Sequence, residues 1–126
     1  GEREQSQYGS KTFNDLKNEC QKKSKELDII IEIVQSNIEG EIVSFIQDAR
    51  NKYEGIIINA AGFTHTSVAL TDAIAAVKTP TIEVHISNIH ARESFRHHSY
   101  LTKNCIGIMA GFGLKGYNLA IDYFVE

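Results

Sequence analysis

The densest reactive chemistry in this chain lies in one stretch, Thr81-Ile82-Glu83-Val84-His85-Ile86-Ser87-Asn88-Ile89-His90-Ala91-Arg92-Glu93-Ser94-Phe95-Arg96-His97-His98, which holds four of the five histidines. It opens as an apolar strand and then releases His, Ser, Asn and Arg together. His85, at the strand end, can exchange a proton near neutral pH. Backbone N–H groups at Ile86 and Ser87 could hold a carboxylate. Arg92 and Arg96, four residues apart, would lie on one face of a short helix at 91–96 and clamp an anion. Asn59 and His65 sit at a second polar strand exit, and Tyr8 with Arg3 lies in a polar N-terminal segment. A tyrosine becomes a base only if its pKa falls from about 10, which neighbouring positive charge would achieve. Together these residues suit acid–base work on a small polyhydroxylated carboxylate. At this level a solvated loop after a strand remains an equal alternative, and so does a surface role for Tyr8.

Other chemistries fit less well. His85, His90, His97 and His98 show no i, i+4 pair, no HExxH and no neighbouring cysteines, so no metal site is expected. Gly111-Phe112-Gly113-Leu114-Lys115-Gly116 matches G-x-G-x-x-G, but only ten residues follow it. No second strand can complete a dinucleotide-binding unit there. Glycines that let a helix pack closely after a strand explain the match better. Ser67 and Ser87 lack the G-x-S-x-G elbow of a serine nucleophile. The lysines fall on polar helix faces and loops, where nothing would depress an amine pKa for imine chemistry.

The elements that must position these residues follow from periodicity. Residues 1–11 are polar and aperiodic and read as a mobile loop. Thr12 offers a cap to a helix over 13–27, and Ile29–Val34 reads as a β-branched strand. A second helix covers 42–49. The apolar strand 55–59 runs through the loop 60–66 into a helix over 67–77 capped by Thr66 or Ser67. The strand 81–86 is followed by the short helix at 91–96, a strand over 105–110 and a helix over 114–124. Apolar strands alternating with helices imply a parallel sheet covered on both faces, whose ligand sits beyond the carboxyl ends of the strands.

Composition narrows the class further. The chain has 126 residues, 42% of them apolar, which suits one domain with one core. A net charge of −3 without basic tails argues against nucleic acid or an anionic membrane as partner. No apolar run is long enough to span a bilayer, and no signal peptide is visible. Cys20 and Cys105 lack CxxC spacing and read as reduced thiols of a cytoplasmic protein.

Taken together, Tyr8-Gly9, Gln35-Ser36-Asn37-Ile38-Glu39-Gly40, Asn59-Ala60-Ala61-Gly62-Phe63-Thr64-His65-Thr66-Ser67, the run from Glu83 to Glu93, and Gly111-Phe112-Gly113 resemble type II 3-dehydroquinate dehydratase. The match runs in order along essentially the whole chain. The resemblance implies a flavodoxin-like doubly wound parallel sheet in three layers and a cofactor-free dehydration of 3-dehydroquinate to 3-dehydroshikimate. It implies that Tyr8 removes the C2 proton, that Arg3 lowers its pKa and stabilises the enolate, and that Arg92 adds positive charge. His85 would protonate the departing C1 hydroxyl, with Glu83 orienting it. Ile86, Ser87 and Asn59 would hold the carboxylate, and His65 and Arg96 the ring hydroxyls. Asp72 would reach a neighbouring subunit's site, because the family forms trimers assembled into dodecamers. One departure is that the family's first, central strand and its Asn-Gly-Pro-Asn-type loop have no counterpart ahead of Gly1, so the chain is expected to be a fragment lacking that strand. The alternative function is a non-catalytic flavodoxin-like module that binds a small anion or nucleotide.

Overall fold

The computed structural model describes residues 13–126, so Arg3, Tyr8 and the cap expected at Thr12 lie outside the described residues. Four α-helices and three strands make the frame: α1 Phe13–Leu27, α2 Glu39–Asp48, β1 Ile56–Ile58, α3 Val68–Val77, β2 Thr81–His85, β3 Gly107–Ala110 and α4 Lys115–Val125. Short 3-10 turns at Ala61–His65, Ile89–Ala91, Ser94–His97 and Thr102–Asn104 join them.

The sheet is wholly parallel, in the order β1-β2-β3. All five residues of β2 are buried, as a central parallel strand covered on both faces should be. Side chains alternate between those faces. Ile82 and Val84 pack with Ala120 of α4, backed by Ile57, Tyr117 and Phe124. On the other side Ile58, with Ile56 partly buried beside it, joins Ile46 of α2 and Leu70, Ala73, Ile74 and Val77 of α3. In register with these, Ile56 pairs Thr81 and Ile58 pairs Glu83, so Glu83 and His85 project on the same side as the α2–α3 cluster. Leu16 and Cys20, one helical turn apart on α1, close a further cluster against Ile121, and Lys23 bridges to Asp122 of α4 at 2.7 Å.

Two expectations need correction. Ile29–Val34 forms no strand: none of these residues joins a ladder, because the sheet of described residues contains no strand beside them. Its side chains still alternate, Ile29, Ile31 and Ile33 leaning on the cluster with Leu16 and Ile86 while Ile30 is 89% exposed. Residues 91–96 do not form a helix either. Two 3-10 turns flank Arg92, which is extended at φ −106°, ψ −166°, so Arg92 and Arg96 share no helical face. Boundaries shift slightly elsewhere. Cys105 precedes β3 rather than opening it.

The glycine motif serves packing. Gly111 N–H donates to His85 O at 3.1 Å and Gly113 N–H to Ile86 O at 3.0 Å, which carries the hydrogen-bonding of β2 past its end. Gly111 has φ +93°, and a Cβ there would stand 3.3 Å from Asn88 Cβ. A Cβ on Gly116 would stand 3.1 Å from Val84 Cγ1, which is how α4 comes so close to the sheet. Among the described residues no helix is long and apolar enough to cross a membrane, and both cysteines are free thiols.

Ser67, not Thr66, caps α3. Its hydroxyl accepts from Leu70 N–H at 3.0 Å while the residue is buried. Ser67→Ala is expected to cost about 1 kcal/mol of stability, read as a lower denaturant midpoint with an unchanged slope. An unchanged midpoint would show that Leu70 N–H finds another acceptor.

Candidate active site

A cleft opens at the carboxyl edge of the sheet, lined by Asn59, Ala61, Gly62, His65, His85, Ile86, Ser87, Ile89, Arg92 and Arg96. It is a small cleft, partly open to solvent. Seven of the residues singled out from the sequence thus converge here: Asn59, His65, His85, Ile86, Ser87, Arg92 and Arg96. Asp72 does not. It lies on the exposed side of α3, outside the cleft.

The floor is built by the end of β2. Glu83 and His85 are two residues apart on a strand, so both side chains project on one side. The His85 ring donates from Nε2 to Glu83 Oε2, with Glu83 fully buried and His85 5% exposed. The carboxylate fixes the ring's tautomer and plane and leaves Nδ1 without a partner among the described residues. Glu83's second oxygen accepts from Thr102 Oγ1 at 2.6 Å. Burial pushes the Glu83 carboxyl up, but the bonds from His85 and Thr102, the nearby Ser99 hydroxyl and the His85 charge together hold it below the usual carboxylate value. Glu83 is therefore an anion within the core. Burial, with the Glu83 charge added, pushes the nearby Cys105 thiol up to about 12, so that cysteine is no nucleophile.

One wall comes from the turn after β1. His65 Nδ1 donates to His98 O at 2.7 Å, and its ring lies 21° from parallel with that of His85, centroids 6.4 Å apart. Phe95 meets His65 edge-on at 6.3 Å. Asn59 is more committed than the sequence implies. Its Oδ1 accepts from Ala61 N–H at 3.0 Å and its Nδ2 donates to Tyr117 Oη at 3.0 Å, so one amide hydrogen is left for a ligand.

The opposite wall is cationic. Arg92 Nη1 approaches Ser87 Oγ at 3.5 Å. Arg96 Nε donates to Glu93 Oε2 at 2.7 Å, and its guanidinium rests 4.8 Å from the Phe95 ring centre. Arg92 Nε stands 4.0 Å from the same Glu93 oxygen. The arginines therefore converge through a shared carboxylate on an irregular segment. The Ser87 N–H has no partner among the described residues and stays available at the cleft wall. The remaining histidines serve the loop. His97 Nε2 donates to Arg92 O at 3.0 Å and its ring meets that of His90 tilted at 47°, centroids 5.7 Å apart, while His98 meets Tyr100 edge-on at 5.2 Å. No group of three or more His, Cys, Asp or Glu that could hold a metal occurs among the described residues.

Sequence reasoning missed the supports: Tyr117 behind Asn59, Phe95 between His65 and Arg96, and Thr102 under Glu83. Only the last carried a signal, the polar run Ser99-Tyr100-Leu101-Thr102 ahead of an apolar strand, and that signal is weak.

Glu83 also makes stability depend on pH. Its folded pKa lies below the ordinary 4.5, so the unfolded chain takes up its proton first as pH falls. The stabilisation is complete above the unfolded value and is lost as pH falls through the folded one. Unfolding free energy measured from pH 7 downwards is expected to drop more steeply below the ordinary value of 4.5 for the native chain than for Glu83→Gln. Parallel curves would show that Glu83 is not ionised in the fold.

The family model described as dehydroquinase class II matches residues 1–125. The 3-dehydroquinate dehydratase of Fusobacterium nucleatum is 52% identical over 132 aligned positions, which cover all of this chain and 88% of that one. The catabolic 3-dehydroquinase 1 of Fusarium vanettenii is 50% identical over 126 residues, again all of this chain and 88% of its own. The crystal structure of the type II dehydroquinase from Butyrivibrio crossotus superposes with a TM-score of 0.94 at 43% identity, covering 98% of this chain and 87% of that one. With the cleft these relationships leave one assignment: the chain belongs to the class II dehydroquinase family.

Proposed function

We propose that this protein is a 3-dehydroquinate dehydratase, a carbon–oxygen lyase converting 3-dehydroquinate to 3-dehydroshikimate by anti elimination through an enolate. The reaction is the one named for its relatives. The observation that carries the mechanism is the Glu83–His85 pair on the floor of a cationic cleft. Tyr8, as phenolate, takes the C2 proton, and the electron pair moves onto the C3 carbonyl oxygen as an enolate. The enolate then expels the C1 hydroxyl, which takes a proton from His85 and leaves as water. Arg3 and Arg92 favour the phenolate and the enolate. Ile86, Ser87 and Asn59 receive the carboxylate, and His65 and Arg96 the ring hydroxyls.

The composition of the cleft supports this division of labour. Among the described residues its lining holds two histidines and two arginines but neither a carboxylate nor a tyrosine. The described residues thus offer an acid and anion binders without an anionic base, which Tyr8 supplies. The same pair counts against a non-catalytic anion binder, because arginines and backbone N–H groups bind an anion without a buried carboxylate beneath them.

The proposal extends to a flavodoxin-like, three-layer arrangement, supported by apolar packing of α4 on one side of the sheet and of α2 and α3 on the other. It includes a cofactor-free enzyme, and a cytoplasmic one, in keeping with the unpaired thiols of Cys20 and Cys105. It also includes trimers assembled into a dodecamer, with Asp72 reaching a neighbouring site. The exposed position of Asp72 on α3 supports that contribution.

Incubation with 3-dehydroquinate is expected to generate the ultraviolet absorbance of a conjugated enone, and no absorbance would refute the function. Tyr8→Phe is expected to lower kcat by at least about 10²-fold while a product analogue still binds. Near-normal kcat would remove Tyr8 as the base. Borohydride added with substrate should leave the protein active, whereas trapping on a lysine would establish an imine route instead.

A further inference from the structure

The Glu83 carboxylate is held from two sides, and only the His85 side belongs to the reaction as drawn above. The other side is the segment 98–104, which hydrogen bonds to three separate parts of the site. Its His98 O accepts from His65 and its Tyr100 N–H donates to Thr64 O at 2.9 Å, which ties it to the turn bearing His65. Its far end is pinned to α3, where Asn104 Nδ2 donates to Thr71 Oγ1 at 2.7 Å and to Thr71 O at 3.2 Å. Between them Ser99 Oγ accepts from Leu101 N–H at 3.0 Å and Thr102 N–H at 3.3 Å. That sets the turn from which Thr102 Oγ1 donates to Glu83 Oε1 at 2.6 Å.

From this geometry we infer that Thr102 is a positioning residue for the proposed acid, holding the Glu83 carboxylate in the one orientation that aims His85 Nδ1 into the cleft. The physical ground is rotational. Without the Thr102 hydroxyl the carboxylate keeps only His85 and the nearby Ser99 hydroxyl and turns more easily about its Cγ–Cδ bond, carrying the imidazole with it. The Thr102 bond on the other oxygen restricts that turn. The hydroxyl also satisfies a lone pair that no water could reach, because Glu83 is fully buried. The groups facing Glu83 are His85 of its own strand, Thr102 and Ser99 of the turn, and the Cys105 thiol. Thr102, Ser99 and Cys105 bring no positive charge to it, so loss of the Thr102 hydroxyl makes the Glu83 carboxylate easier to protonate.

The inference rests on His85 as the acid, and the test separates the two. Thr102→Val keeps the branched shape and removes the donor, while Thr102→Ser restores the donor without the methyl group. In the full-length enzyme Thr102→Val is expected to lower kcat roughly ten- to a hundredfold with KM within about twofold, and to move the acidic limb of the kcat–pH profile upwards. Thr102→Ser should recover most of kcat and return the limb. Should Thr102→Val fold poorly, Thr102→Ser against Thr102→Ala makes the same comparison. An inactive His85→Gln beside a Thr102→Val variant of unchanged kcat and pH profile overturns this inference alone. An active His85→Gln overturns the acid assignment and this inference with it. Equal loss in Thr102→Val and Thr102→Ser also overturns it, since packing rather than the hydroxyl would then be at work.

Discussion

A carboxylate inside the core constrains much of the architecture around the cleft. Taking an ion of this size out of water costs several kcal/mol even after relaxation, and its attraction to a partner offsets that only when the remaining lone pairs are also satisfied. Glu83 meets the condition through His85 on one oxygen and Thr102 on the other. Each partner in turn needs its own support. The imidazole is held by strand β2, buried at every position. The hydroxyl is held by a turn fixed through Ser99, Asn104 and Thr71. The 3-10 turn after the cleft is therefore part of the site, although none of its residues lines it.

The parallel sheet explains why the reactive groups share one edge. Parallel strands all end on the same side, so Asn59 after β1 and His85 at the end of β2 come to one edge by topology alone. The hydrogen bonds from Gly111 and Gly113 to the carbonyls of His85 and Ile86 then draw the β3 exit against the same place. The Ser87 N–H is unbonded among the described residues, and Arg92 stands beside it, 3.5 Å from Ser87 Oγ on the cationic wall of the cleft. An anion is the complement of that surface, and the arginines already meet one in Glu93.

Much of this was legible in the sequence, for reasons specific to each element. The helices over 13–27 and 68–77 and the strands around 56–58 and 81–85 declared themselves because the apolar period matched the element and a breaker or cap marked each end, Ser67 for α3 and Pro80 before β2. The segment 29–34 misled because β-branched alternation records a preference for an extended chain, whereas a strand also needs a neighbour to bond to. The loop after β2 misled in the opposite way. Arg92 and Arg96 at i, i+4 looked helical, yet a 15-residue span from Asn88 to Thr102 must cap itself, stack Phe95 between His65 and Arg96, and return to β3. Local 3-10 turns meet those demands better than one helix. The contact of Tyr117 was not legible at all and that of Thr102 only faintly, since residues 58 and 19 positions apart meet only through the crossovers.

The spacing of Glu83 and His85 was visible throughout, and strand geometry alone would have paired them. Two residues at i, i+2 on a strand share a side, and a buried carboxylate beside an imidazole fixes which nitrogen is free. That leaves a constraint on any chemistry here. Nδ1 of His85 can face a ligand only while Nε2 stays bonded to Glu83, so the imidazole presents one proton-exchanging atom in one direction. A group that must remove a proton from a different carbon of the same ligand cannot be this histidine. His65 has its Nδ1 committed to His98 O and its ring stacked beside that of His85, which leaves Nε2 as its one free ring nitrogen. A reaction whose base is an anion has to bring it from outside the ten described residues of the cleft lining, which include no carboxylate or tyrosine. That requirement makes the N-terminal segment with Arg3 and Tyr8 the decisive place to test.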